Sequence, residues 1–537
     1  MSSLLIVLGS IVIFIVAYIT YGAWLAKQWG VDPSKKTPAH EINDGVDYVP
    51  TKPAVLLGHH FASIAGAGPI NGPILAAVFG WVPVLLWIIV GGIFFGGVHD
   101  YGSLFVSVRH GGKSIGEVIN STMGKTGKKL FSVFAWLTLL LVVAAFTNIV
   151  ASTFASVPAA ATASLLFIVL SVAFGFGVYR KGLPLGIGTV IGVILLFTCV
   201  WLGTVFPISL SVNAWIAILA VYIFVASTAP VWILLQPRDY LNSFLLYAMM
   251  AGAVLGLVIF RPSIKMAAVT GFNVGGQWLF PMLFVTVACG AISGFHSMVG
   301  SGTTSKQLDS EGDAKIIGYG GMLIECVLAV VALVSAAYLT QGEFAELMKG
   351  GPGNVFSHGV GTFMTKFGLD FEVGKSFVAL AVSAFALTSL DTATRLNRFI
   401  FQEYFEDPEK ETQSIFTNMY VSTGVTVVLG AWMALGGFAV IWPIFGSANQ
   451  LLAALALLAI ALWLKKAKRN YSMLVFPMIF MLIVTLFALV FLIKANLAAN
   501  NYVLVVFPAL LFILALVLAY KGYGIVFGKD EGEKLAN

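Results

Sequence analysis

The stretch GHHFASIAGAGPINGP, residues 58–73, decides how this chain is read. It sets two histidines, a serine, an asparagine, four glycines and two prolines inside a run otherwise apolar enough to enter a membrane, so a helix here breaks part-way across. In hydrocarbon an unpaired backbone N–H or C=O costs on the order of several kcal/mol, so such a break survives only against other protein or a water-filled cavity. A cavity at that depth usually binds something.

The remainder of the chain supports a membrane setting. Of the 537 residues, 59% are hydrophobic and 10% charged, against about 25% charged in a soluble domain. The first apolar segment, Leu4 to Leu25, has neither a preceding basic residue nor a small-residue cleavage site, and is read as a retained transmembrane helix rather than a removed signal peptide. Cys199, Cys289 and Cys326 lie in apolar runs without CxxC or CxxCH spacing, which argues against disulfides, a zinc knuckle or covalent haem.

Apolar windows of about 20 residues give fifteen spans: 3–25, 54–79, 82–108, 129–156, 160–178, 185–206, 213–235, 241–260, 279–303, 316–340, 376–394, 416–440, 445–464, 472–493 and 502–520. Lysine and arginine test that assignment, because cytoplasmic connections carry their excess. Alternate connections divide them 24 to 6. The N-terminus is therefore expected outside and the C-terminus in the cytoplasm. The polar connections 26–53 and 341–375 are too short to bury a core of their own, so function is expected within the membrane. Most glycines, such as Gly92 with Gly96, fit close helix packing.

A second interruption, Ala226-Ser-Thr-Ala-Pro230, lies in the span 213–235 and runs opposite to the first, five spans later. Interrupted helices in matching, oppositely directed positions point to an inverted-repeat secondary transporter with its site between the breaks. The expected fold class is an all-α polytopic membrane protein of about 15 helices around a 5+5 inverted-repeat core. Its parts are an extra helix and loop (1–53), a first repeat (54–206), a second (213–394), four further helices (416–520) and a tail (521–537). After the first break Asn71-Gly72-Pro73 reads as a helix start, and Ser227 and Thr228 before Pro230 read as caps. Both half-helices would then aim a positive N-terminus inward, favouring an anionic group such as a carboxylate. Ser63, Gly66, Gly68, Asn71, Ser227 and Thr228 are the candidate substrate-binding residues.

Ionisable residues inside a membrane each need an account. At about 1.5 Å per helical residue, His60 lies about 12 Å, and His99 with Asp100, His296 and Glu325 about 15 Å, above the nearest cytoplasmic basic residue, close to the middle of a core about 30 Å thick. Three readings fit that layer. Buried histidines and carboxylates can relay protons. A divalent metal such as zinc would draw on His59, His60, His99 and His296, although adjacent His59 and His60 point about 100° apart. The third reading is a set of separate structural hydrogen bonds between helices. Asp391, with Arg395 at i+4, reads as an interfacial salt bridge and is carried with the layer as a candidate coupling residue. Ser293 and Ser297, with carbonyls freed near Ala65 and Gly66, would form an oxygen site for Na+. H+ and Na+ therefore both stand as coupling ions, with no cofactor required.

These residues resemble the carbon starvation (CstA) family of bacterial and archaeal membrane proteins. The matching stretches are GHHFASIAGAGPINGPILAAVFG from Gly58, HDYGSLFVSVRHGGKSIGE from His99, VWILLQPRDYLN from Val231 and CGAISGFHSMVGSGTTSKQL from Cys289, with LDTATRLNRFIFQE from Leu390 and WPIFGSANQLLAAL from Trp442. The resemblance implies an inner-membrane system induced on carbon starvation that imports peptides and, in some members, pyruvate. It also implies a distant relation to the amino acid-polyamine-cation superfamily. The chain departs from the family pattern at His99, where glutamine is common. Asn449 and Gln450, in the stretch from Trp442, fall outside the ten-span core and receive no role. No GxxxxGK[ST] motif is present, so a gradient would drive uptake of a small molecule or short peptide. The rival classes are a metal- or haem-binding membrane enzyme or electron carrier, and a passive channel.

Overall fold

In hydrocarbon an apolar run can pair its own backbone only as a helix, and the computed structural model is accordingly mostly helical. It describes residues 2–45, 47–230, 233–406 and 414–527. Val231 and Trp232, where the span was expected to resume after its interruption, part of the connection after Arg398 and most of the tail lie outside these.

The chain runs through α1 (Ser3–Trp29), α2 (Pro53–Ile64), α3 (Gly68–Phe79), α4 (Trp81–Arg109), α5 (Ile115–Ser156), α6 (Pro158–Val178) and α7 (Leu185–Val205). There follow α8 (Val212–Thr228), α9 (Leu235–Phe260), α10 (Leu279–Val287) and α11 (Gly294–Gly302). Next come α12 (Glu311–Ala337), α13 (Gln341–Met348), α14 (Pro352–Met364), α15 (Phe371–Phe405) and α16 (Met419–Ala434). The last three are α17 (Phe438–Lys466), α18 (Ser472–Ala498) and α19 (Tyr502–Phe527). A two-residue ribbon, β1 (Asn273–Val274) with β2 (Gln277–Trp278), pairs Asn273 with Trp278.

Among the described residues twelve helices are long and apolar enough to cross a membrane, and the bent pair α2–α3, at 46°, makes a thirteenth. Two shorter apolar helices, α8 and α16, fall at the remaining expected spans. The central apolar stretch of α17 is wholly buried, whereas that of α7 is only 22% buried, so α17 belongs to the interior and α7 to the lipid face. Helix α5 packs on both α15 and α17 in the middle of the bundle, and α3 packs on α10, α12 and α14.

Three expectations change here. The connection 341–375 is not simply polar: α13 opens on a capping box between Thr340 and Glu343, and α14 buries Val355, Phe356 and Val360. The connection expected at 236–240 is helical, since α9 already starts at Leu235. Arg238, counted there as a cytoplasmic residue, is 1% exposed, and Arg395 and Arg398 are also buried. An arginine with a buried partner tolerates the interior, so a charge count alone misplaces it.

Candidate functional site

The first break falls where the sequence puts it. Helix α2 ends at Ile64, Ala65 leaves helical geometry, and α3 begins at Gly68 with Pro69 in its first turn. The expected start at Asn71-Gly72-Pro73 is corrected by one turn: Pro69 already supplies the first-turn proline, and Pro73 lies inside α3. The N–H of Ala65 pairs with Phe61 O, that of Gly66 with Ile64 O and that of Asn71 with Ala67 O. Among the described residues the amides of Ala67, Gly68 and Ile70 find no acceptor. Ser63 Oγ and Asn71 Oδ1 are likewise buried without a hydrogen bond. Ser389 of α15 donates to Ser63 O at 3.0 Å.

The partner of this break is not the one expected. In the span 213–235, α8 ends at Thr228 and the next helix starts at Leu235 rather than at Pro230. The last carbonyls of α8, Ala226 O and Ala229 O, accept from Arg395 Nη2 at 3.0 and 2.6 Å, a cation placed where a helix C-terminus favours one. Thr228 bonds back to Phe224 O, Ser227 is buried with a free hydroxyl, and α8 packs on α5, α15 and α16. Ser227 and Thr228 therefore cap no inward-pointing half-helix.

The break that faces α2–α3 lies in the segment expected as one straight span, 279–303. Helix α10 stops at Val287, Ala288 takes φ 42°, Ser293 is extended, and α11 starts at Gly294. The two breaks touch. A Cβ on Gly68 would sit 2.6 Å from Cys289 Sγ, and one on Gly72 would sit 2.3 Å from Val287 O, so only glycine permits this approach. Asn449 and Gln450 of α17 close on the second break. Asn449 Oδ1 accepts from Phe295 N at 2.9 Å, and Gln450 Nε2 donates to Ile292 O at 2.8 Å. The stretch from Trp442 is thus part of the centre, not outside it.

Beside the breaks the expected polar layer comes together. Asp100 sits between two imidazoles: His99 Nδ1 lies 2.7 Å from Oδ1 and His296 Nδ1 lies 2.8 Å from Oδ2. The other face of His296, Nε2, is 3.4 Å from Glu325 Oε2. All four side chains are buried. An ionised Asp100 fixes an Nδ1–H on each ring. His296 Nε2 and Glu325 then have room for one proton between them, either on the ring or on the carboxyl. His60 stands next to this group but pairs with Thr304 Oγ1 at 2.8 Å, leaving Nε2 without a partner. Wide helical turns at Gly92–Gly96 and Lys315–Gly320 flank the cluster, as such turns often do at functional sites.

The expected metal ligands do not assemble. Among the described residues no three His, Cys, Asp or Glu side chains are placed to hold a metal together. The four histidines are divided instead: His59 faces Asp239 at 3.4 Å, His60 faces Thr304, and His99 and His296 share Asp100. Ser297 Oγ donates to Gly294 O and Ser293 Oγ accepts from Asn449 Nδ2.

A second buried network is not evident from the sequence. Arg238 of α9 pairs with Asp391 of α15 and with Tyr222 of α8, and its Nη2 donates to Asp239 at 3.0 Å. Tyr222 donates to Asp391 Oδ2 at 2.7 Å. The expected Asp391–Arg395 pair is therefore replaced, because Arg395 turns to the end of α8. The stretch VWILLQPRDYLN carries the signal, an Arg-Asp pair directly after a helix-opening proline.

The comparisons agree with this architecture. Two solved structures share the fold: the Eremococcus coleocola manganese transporter (TM-score 0.53, 10% identity, covering 91% of this chain and 98% of that one) and MhsT in complex with L-phenylalanine (TM-score 0.51, 13% identity, covering 87% and 99%). In sequence the chain is 35% identical to the peptide transporter CstA of Escherichia coli (strain K12), over 87% of this chain and 78% of the relative. It is 33% identical to the pyruvate/proton symporter BtsT of the same organism, over 91% and 81%. It is also 33% identical to the peptide transporter CstA of Bacillus subtilis (strain 168), over 85% and 84%. The family profile described as "Carbon starvation protein CstA" matches residues 2–350 and 345–488. With that match across most of its length and these relatives, the chain belongs to the carbon starvation protein CstA family, whose members are membrane transporters and not enzymes.

Proposed function

We propose that the chain imports a small carboxylate-bearing solute, a short peptide or pyruvate, by alternating access driven by a proton gradient. One observation carries this reading. The first interruption leaves three amides, Ser63 Oγ and Asn71 Oδ1 unpartnered inside the bundle, next to a cluster built for a proton. Amides at a helix N-terminus attract an anion, and peptides and pyruvate have a carboxylate in common. The cluster favours H+ over Na+ because two of its members are imidazoles, which exchange a proton near neutral pH.

In this reading α3 holds the carboxylate and a proton moves between His296 and Glu325. Neutralising that pair removes the cost of an uncompensated buried charge as the bundle rearranges. Fifteen crossings would place the N-terminus outside and the C-terminus in the cytoplasm of an inner membrane. The two interrupted segments, 53–79 and 279–306, stand seven crossings apart and so run in opposite directions. We place the paired halves of an inverted repeat at these two segments.

The test is uptake of labelled dipeptide and labelled pyruvate into proteoliposomes. An inward proton gradient is expected to raise accumulation of one of them at least tenfold over no gradient, and a Na+ gradient to leave it unchanged. Uptake of both substrates indifferent to both gradients overturns the reading.

A further inference from the structure

The second interruption contains no proline: between Met282 and Lys306 the sequence nowhere forbids a continuous helix. The break is imposed by another part of the chain. A break frees N–H groups on one side and C=O groups on the other, and a single side chain rarely serves both. Asn449 and Gln450 divide the work, since adjacent residues on α17 point about 100° apart. Asn449 Oδ1 takes the N–H of Phe295, and its Nδ2 donates to Ser293 Oγ at 3.1 Å. Gln450 donates to the carbonyl of Ile292. Ser293, which stands at the cap position, makes no capping bond of its own, so Asn449 caps α11 from a helix more than 150 residues away in sequence.

The packing leaves no slack. A Cβ on Gly294 would lie 2.4 Å from the backbone oxygen of Asn449, and one on Gly446 would lie 2.5 Å from Val285 O. Helix α17 therefore lies against both halves, α10 through Gly446 and α11 through Gly294. The residue after Phe295 is His296, whose ring spans Asp100 and Glu325. The direction of the first turn of α11 thus sets where that ring stands.

We propose that Asn449 and Gln450 are positioning residues of transport. They hold the second interruption open and aim α11 so that His296 bridges the two carboxylates. This rests on the reading of that cluster as the proton-carrying site. It follows that α11 does not tilt independently of α17, and that α17 is part of the transport core. Without the two carboxamides, the groups between Ala288 and Phe295 regain partners by joining α10 to α11 in one helix, and His296 rotates away from its partners.

The test is the double variant Asn449→Leu, Gln450→Leu in the full-length protein. Hydrogen exchange of purified protein is expected to slow at least tenfold at the amides of Ser293 and Gly294 as the helix heals. In proteoliposomes, proton-driven accumulation is expected to fall at least tenfold while substrate counterflow keeps its KM within threefold, because the carboxylate is held by α3. The single variant Asn449→Asp, which keeps the acceptor for Phe295 N, is expected to retain at least half of the accumulation. Unchanged or faster exchange at Ser293 and Gly294 overturns the inference whether or not the protein transports. Equal losses of accumulation and counterflow also overturn it, since they describe a protein merely less well folded. Healing of the helix alongside a wild type that no gradient drives would instead leave the positioning intact and remove the proton-coupled function.

Discussion

The two interruptions lie against each other, yet they are broken for different reasons. At the first the cause is local. Pro69 has no N–H to give, and its ring crowds the carbonyl four residues earlier, which bends or breaks a helix running from α2 into α3. At the second the cause is remote, in two carboxamides of α17. The consequences differ as well. The first leaves amides and side-chain atoms open, whereas the second has its leading amide and a carbonyl already paired. An open N-terminus can take a ligand; an occupied one can only be held in place. In place of positive helix ends at Asn71 and Pro230, the structure has one open end, at α3, and one capped end, at α11.

The contact between the breaks is where this contrast is most exposed to disruption. Gly72→Ala would drive a methyl group into Val287 O and Thr286 O, at 2.3 and 2.7 Å, both backbone atoms with nowhere to move. Counterflow and accumulation are both expected to fall about a hundredfold, since overpacking of about 3 kcal/mol falls on the two site-forming segments together. Gly186→Ala, where the added carbon meets nothing within 4 Å, should leave both unchanged. Equal activity of the two variants would mean that the breaks need not touch.

The elements are also anchored by different chemistry, and charge removal separates them. Helix α2, which leads into the first break, faces Asp239 through His59, and Asp239 and Asp391 share Arg238. Helix α11 is fastened by neutral carboxamides. Arg238→Gln strips the cation from two buried carboxylates, and breaking such a pair costs about 3–5 kcal/mol. A marked drop in melting temperature in detergent is expected, with most of it restored in the double variant Arg238→Gln, Asp391→Asn. A single variant as stable as wild type would show that the network does not hold this side of the bundle.

The same contrast explains what the sequence discloses. Proline and glycine act where they stand, so residues 58–73 announce the first break, and depth counted along straight helices is enough to bring His99, Asp100, His296 and Glu325 to one level. The second break carries no such mark. Its cause lies at Asn449 and Gln450, and only tertiary structure joins them to Ile292 and Phe295. Arg238 escapes for a related reason: an arginine beside a proline reads as a loop until its partner, Asp391, is seen on another helix. The expected Asp391–Arg395 pair fails because i+4 spacing permits a contact but does not outweigh bare carbonyls at the end of α8.

The smallest expected effects decide the comparison most directly. Ser63 Oγ and Asn71 Oδ1 are buried at the first break without a hydrogen bond, so Ser63→Ala and Asn71→Ala remove nothing that the resting fold uses. Each should melt within a degree or two of wild type. If Ser63 Oγ donates to the substrate carboxylate and Asn71 Oδ1 accepts from a donor beside it, each loss costs about 1.4 kcal/mol of binding, near the top of the ordinary hydrogen-bond range, and KM in counterflow rises about tenfold. Ser389→Ala is the matched control, because its hydroxyl is already spent on Ser63 O. It should lower stability by about 1 kcal/mol and leave KM alone. The reverse pattern, with Asn71→Ala melting early at an unchanged KM, would mean that the first interruption is as closed as the second, and the carboxylate would have to be sought elsewhere in the bundle.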